Sequence, residues 1–246
     1  ERRRKENGSD SEAETLLALP DGAGAESLLV LELDQIKHMP EGEKLRTAAA
    51  RAIRAAERLK ASAVTFALDG PAGSEAVAAV AEGCLLGGYR FEKYKSKKNG
   101  DKPLTVELLV ASRAQARVKE AVARAEKIAA GVSLARDLVN EPPSELVPAD
   151  LAAVARAMAR EEGLQVEVLD EKALIRNGYM GTVTVGRASA HRPCMMILRY
   201  GQKIKSPVHL VLVGKAITFD TGGICIKPAK DMWEMKGDMA GGGAVI

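Results

Sequence analysis

Lys215, Asp220, Lys227 and Asp238 stand around the paired glycines Gly222-Gly223 in the segment from Gly214 to Asp238. Lys215 and Asp220 are five residues apart, Asp220 and Lys227 are seven apart with Gly222-Gly223 between them, and Asp238 follows eleven after Lys227. Carboxylates are hard oxygen donors suited to divalent cations. Consecutive glycines let a chain fold tightly around a bound group, because no Cβ obstructs it. The spacing is equally compatible with a solvated loop carrying surface ion pairs, the commoner fate of such residues. Placement favours a site, since the apolar run Val208 to Val213 reads as a strand and ligands bind beyond the carboxyl ends of strands in open α/β sheets.

The elements that would position these residues alternate along the chain. Leu28 to Leu33 reads as a strand, and Glu43 to Ala61 as a helix with Leu45, Ala49, Ile53, Ala56 and Leu59 at three- and four-residue spacings. Ala63 to Leu68 is a second strand closed by the turn dipeptide Asp69-Gly70. Pro71 and Ser74 start a helix that Gly87-Gly88 stops. Ser96 to Pro103 is a loop by composition, and Leu104 opens a third strand. A long helical pattern from Ala111 to Asn140 ends at Pro142-Pro143, where proline removes an amide donor and restricts the residue before it. Pro148-Ala149-Asp150 restarts a helix. A second α/β rhythm follows: strand Gln165 to Leu169, helix Glu171 to Asn177, then Cys194 to Tyr200 and Val208 to Val213 as buried strands. The expected division is an N-terminal α/β domain over residues 1–110, a connecting helix over 111–140 and a second α/β domain over 141–246.

Composition narrows the function classes. With 246 residues, 46% of them apolar and 28% charged, the chain can bury a sizeable core and accommodate two domains. Aromatics are only 3%, too few for a base-stacking platform. The balance of 36 basic against 33 acidic residues points to no polyanion partner, and nucleic acid is not expected. Arg2-Arg3-Arg4-Lys5 is a basic run, but acidic residues follow at once and a solvated tail accounts for it. Cys84, Cys194 and Cys225 show no CxxC spacing, which fits a reducing, cytoplasmic setting. No apolar run approaches bilayer length, so no membrane is expected. His38, His191 and His209 are scattered and form no HExxH motif. Gly214-Lys215 and Gly241-Gly242-Gly243 match neither GxxxxGK[ST] nor GxGxxG, which argues against a nucleotide. The chain ends at Ile246 among small and apolar residues without a cap or turn, and is expected to be part of a longer protein.

Val213-Gly214-Lys215-Ala216-Ile217-Thr218-Phe219-Asp220-Thr221-Gly222-Gly223, then Ile224-Cys225-Ile226-Lys227, then Met235-Lys236-Gly237-Asp238-Met239 closely resembles the signature of the leucyl aminopeptidase (cytosol aminopeptidase) family of two-metal metallopeptidases. That signature is similar to Val-Gly-Lys-Gly-Xaa-Thr-Phe-Asp-Ser-Gly-Gly, Ile-Xaa-Ile-Lys and Met-Lys-Xaa-Asp-Met, and its spacing is kept throughout. Upstream, Ala135 to Pro143 resembles the family's entrance to its catalytic domain. The resemblance implies a macro-domain-like N-terminal α/β domain joined by a long helix to the first part of an α/β/α zinc-peptidase-type catalytic domain.

It also implies roles. Asp220 would bridge two divalent metal ions per subunit (zinc or manganese, with magnesium or cobalt as alternatives), and Lys215 and Asp238 would complete the ligands of one of them. A ligating lysine must be the neutral amine, so the site should weaken as acid restores the ammonium. Lys227 would be the catalytic lysine, donating to the scissile carbonyl and to the oxyanion that develops from it. Met235 would help line the pocket for the substrate's first side chain, with a core methionine as the plain alternative. The implied activity is release of N-terminal, preferably apolar and leucine-like, residues from peptides by metal-activated water, in a homohexamer. The rival is a non-catalytic relative that binds DNA or another partner. Ala216, Thr221 and Cys225 depart from the usual signature beside the proposed ligands. The family's later Asn-Thr-Asp-Ala-Glu-Gly-Arg motif does not occur in these residues, so this stretch should complete neither metal site.

Overall fold

In the computed structural model, the described residues are 14–19, 25–31, 36–68, 73–96, 103–110, 115–201 and 203–246. The expected tail, the Asp69-Gly70 turn, Pro71, most of the Ser96 to Pro103 loop and the first residues of the long helix lie outside them. The chain divides into two compact units, Glu1–Ala130 and Gly131–Ile246.

In the first unit, β1 (Glu14–Ala18) pairs antiparallel with β2 (Ser27–Leu31). After α1 (Glu41–Leu59), β3 (Ala63–Ala67) leads into α2 (Ser74–Gly87) and on to β4 (Thr105–Leu109), which lies parallel to β3. Two parallel strands need a crossover between them, and α2 is that crossover. Apolar residues of α1 and α2 meet in a cluster of Ala49, Ile53, Val80 and Cys84, with Phe66 and Leu108 from the strands packed against it. The helices come close because α2 offers no side chain at the contact: a Cβ on Gly83 would lie 2.2 Å from the Arg46 carbonyl oxygen. Across the same contact the Arg46 Nε donates to Glu82 at 2.8 Å.

Cys84 sits inside this cluster, and burial pushes its thiol up from 9.0 to about 12. The folded state therefore holds this proton to higher pH than the unfolded chain does. The thiol's contribution to stability is complete below 9.0 and is lost as pH rises from there towards about 12. Thermal unfolding followed from pH 8 upward should show the melting temperature falling beyond pH 9, and Cys84→Ala should flatten that decline. A disulfide reagent at pH 8 should titrate the exposed Cys225 quickly and Cys84 only on unfolding.

The last residues of α3 (Gln115–Asn140) open the second unit. α4 (Pro148–Glu161) begins with proline at its first position, and the Asp150 carboxylate accepts from the Val147 amide at 3.1 Å. β5 (Gln165–Leu169) runs antiparallel to β6 (Met195–Arg199). Between them lie α5 (Glu171–Arg176), capped by Asp170, and α6 (Met180–Gly186). A 3₁₀ segment (Met232–Met239) and α7 (Ala240–Val245) close the chain. Leu138, Leu146, Leu151 and Met239 form the buried cluster of this unit. No helix among the described residues is long and apolar enough to cross a membrane.

Most expected elements are present, but one is not. Val208 to Val213 forms no strand, and its side chains are exposed, Val213 at 90%. A buried strand requires hydrogen-bonding neighbours at its edges and cover on both faces. None of the described strands pairs with this run. β6 is also only half-buried rather than enclosed.

Candidate active site

The loop that follows residue 213 is folded on itself by its glycines. Gly222 has φ +85°, a left-handed conformation, and a Cβ there would sit 2.5 Å from the Cys225 carbonyl oxygen. The resulting turn is closed by a bridge between Gly222 and Ile226 and by the Lys227 amide donating to the Thr221 carbonyl at 3.0 Å. This reversal carries Lys227 back over Asp220. The Lys227 Nζ donates to Asp220 Oδ2 at 2.9 Å, and Asp220 Oδ1 accepts from the Gly222 amide at 2.8 Å. Lys227 also reaches the Met235 sulfur, at 3.1 Å.

The Lys227 ammonium, with help from the Gly222 amide, holds the Asp220 carboxyl below the usual carboxylate range, against a smaller opposing effect of desolvation. Lys215 contributes in the same direction, which places it within electrostatic reach of Asp220. Lys215 itself pairs with Asp238, Nζ to Oδ1 at 3.0 Å. The second oxygen of Asp238, Oδ2, is buried and accepts no hydrogen bond. A buried carboxylate oxygen without a partner is costly.

Lys215 and Asp238 are brought together through glycines. Gly214 lies so close to α7 that a Cβ on it would fall 2.2 Å from the Gly241 carbonyl oxygen, and the Gly242 amide donates to the Lys215 carbonyl at 2.6 Å. In the sequence Gly241 to Gly243 only fail to match a nucleotide-binding motif; in α7, Gly241 and Gly242 let its backbone touch that of Gly214 to Ala216. The asymmetric use of methionine was equally hidden. Met235 is half-buried beside Lys227, whereas Met239 is fully buried and fills the core position.

All five sequence-predicted residues thus gather around Gly214–Met239: Asp220, Lys227 and Met235 in one set of contacts, Lys215 and Asp238 in another. Residues 133–246 match the catalytic domain of the cytosol aminopeptidase family, and residues 5–98 match that family's N-terminal domain. The chain belongs to the cytosol aminopeptidase family. A probable cytosol aminopeptidase of Rhodococcus jostii (strain RHA1) is 41% identical over 97% of this chain and 47% of its own length. One from Streptomyces avermitilis is 43% identical over 84% of this chain and 40% of its own. Among solved structures, the bottromycin maturation enzyme BotP in complex with Mn superposes with a TM-score of 0.73 and 34% identity, over 94% of this chain and 48% of that one. Cytosol aminopeptidase from Coxiella burnetii gives 0.68 and 25%, over 93% and 45%. The chain spans about half the length of the curated relatives it matches. Its mixed α/β architecture, with N-terminal and catalytic domains, is that of the family.

A divalent cation fits this chemistry in part. The unpartnered Asp238 Oδ2 is an acceptor without a donor, and Asp220 and Lys215 supply a second carboxylate and an amine. Among the described residues no group of three or more histidine, cysteine, aspartate or glutamate side chains gathers to hold a metal. The candidate donors that this stretch offers are two carboxylates, Asp220 and Asp238, and the Lys215 amine.

Proposed function

We propose that the whole protein is a metal-dependent aminopeptidase that releases N-terminal, preferably apolar and leucine-like, residues from peptides. The observation that carries this reading is the Asp220–Lys227–Met235 contact set, together with the unpartnered oxygen of Asp238, in a chain of the cytosol aminopeptidase family. Asp220, Asp238 and Lys215 would hold divalent cations, two per subunit. Such ions, when bound, polarise a carbonyl and make water acidic enough to attack it near neutral pH.

The chain's own residues would do the rest. An ammonium has three N–H donors. At Lys227 two of these are directed at Asp220 Oδ2 and Met235 Sδ. The third can meet a carbonyl oxygen and follow it as negative charge accumulates there, a donor aimed where charge develops. Met235, half-buried and flexible, offers a polarisable apolar wall next to that donor, which suits an aliphatic first side chain.

In the same reading, residues 1–110 are the N-terminal domain, 111–140 the connecting helix and 141–246 the start of the catalytic domain. Zinc or manganese serves as the metal, with magnesium or cobalt as alternatives, and the protein works in the cytoplasm as a homohexamer. The BotP structure, a complex with Mn, supports a divalent metal. A non-catalytic or DNA-binding role is not favoured, since the relatives are named as aminopeptidases.

Hydrolysis of leucyl-p-nitroanilide by the full-length protein tests the proposal. Activity should disappear when a chelator strips the metal and return with added zinc or manganese. Hydrolysis that persists unchanged after complete stripping, or that never appears with any of the four metals, would overturn it.

A further inference from the structure

The 3₁₀ segment Met232–Met239 has two working ridges. Residues three apart eclipse one another in a 3₁₀ helix, so Met235 and Asp238 share one ridge and Lys236 and Met239 the next. The first ridge faces the site: Met235 Sδ lies 3.1 Å from Lys227 Nζ, and Asp238 Oδ1 lies 3.0 Å from Lys215 Nζ. On the second ridge, the Lys236 Nζ donates to the Asn140 carbonyl oxygen at 3.1 Å, and Met239 is fully buried among Leu138, Leu146 and Leu151.

Asn140 is the last residue of α3, and after Glu141 come Pro142 and Pro143. Its carbonyl lies in the last turn of the helix, where carbonyls accept from groups outside the helix ladder, and it accepts from Lys236. A cation at that end also meets the negative pole of the helix. Lys236 reaches this end of α3 from the same segment that carries Met235 and Asp238. Met239 anchors the segment by packing, but packing alone leaves rotation about its axis less constrained. Lys236 supplies a directional contact on the same ridge.

We infer that Lys236 is a positioning residue, which holds Asp238 and Met235 at their partners by tying the 3₁₀ segment to the carboxyl end of α3. This rests on the proposed function, because positioning matters only if Asp238 receives a metal and Met235 a substrate. The contact with Asn140 predicts that charge and reach matter together.

The test uses the full-length protein with Lys236→Met, Lys236→Arg and, as a control on the site itself, Asp238→Asn. Zinc affinity is measured by competition with a chromogenic chelator, exchange of the amides of residues 232–239 is measured on metal-free protein, and kcat and KM are measured with leucyl-p-nitroanilide. Lys236→Met should keep its melting temperature within a few degrees, exchange these amides faster, and bind zinc about 10-fold more weakly, because Asp238 is then less well oriented. Its kcat should fall about as much, with KM little changed. Lys236→Arg should recover most of both losses. Zinc affinity and kcat within twofold of the parent in Lys236→Met would overturn the inference, as would a variant that simply unfolds, since the residue would then be structural. If Asp238→Asn also binds zinc normally, the fault lies with the site assignment rather than with Lys236.

Discussion

Lys227→Ala should lower kcat by about 10²–10³-fold, the cost of deleting one donor aimed at a developing oxyanion, while leaving metal affinity within about threefold of the parent. The expectation follows from where the Nζ stands. It is held by Asp220 and by the Met235 sulfur, at 2.9 and 3.1 Å, so its direction is set before any substrate arrives. A donor fixed in advance needs no reorganisation when charge appears, which is why its effect should fall on kcat rather than on KM. Alanine removes the donor without placing a new group in the site. Lys227→Arg is expected to restore little: the planar guanidinium is bulkier and fans its donors differently from a single ammonium. Steady-state kinetics with leucyl-p-nitroanilide, alongside metal titration of the same preparations, reads both quantities. A kcat within fivefold of the parent would remove Lys227 from the chemistry.

Sequence made some of this legible and hid the rest for identifiable reasons. β5 was readable to the residue because Gln165 to Leu169 alternates between a glycine-ended helix and the capping Asp170, so local signals agree at both ends. The α1 and α2 helices were equally plain from their apolar spacing. β1 was missed because Glu14 to Ala18 follows a long polar run and shows little alternation, and its partner β2 supplies the missing order. Val208 to Val213 misled for the opposite reason: its composition asks for burial, but composition cannot say what will cover it. In the site, sequence located Lys215, Asp220, Lys227 and Asp238 without saying which lysine meets which aspartate. That pairing depends on the reversal at Gly222 and on the 3₁₀ geometry of Met232–Met239, both set by backbone conformation rather than by residue type. The contact from Lys236 to Asn140 joins residues 96 apart in sequence. Nothing short of the folded backbone brings them together.

Asp220→Asn should have the opposite signature to Lys227→Ala. Metal affinity should fall by more than about 100-fold, beyond the range for an outer-sphere partner, and kcat/KM should fall at least as far. Asparagine keeps the shape of the side chain and can still accept from the Gly222 amide, so the turn at Gly222 should survive and the melting temperature should change little. What it loses is the negative charge, which the Lys227 ammonium and the Gly222 amide favour by holding this carboxyl below its usual range. An amide oxygen is a weaker donor to a hard cation than a carboxylate, so the defect should appear directly in metal titration and not only in turnover. Because Asp220 Oδ2 and Lys227 Nζ are 2.9 Å apart, the two substitutions share an interaction and should not add. In the double variant, Lys227→Ala should cost far less than it does alone, since the donor has already lost the carboxylate that directs it and the metal that works with it. Full additivity of the two losses would mean that Asp220 and Lys227 act independently, and the contact that the turn at Gly222 creates would then have no part in the reaction.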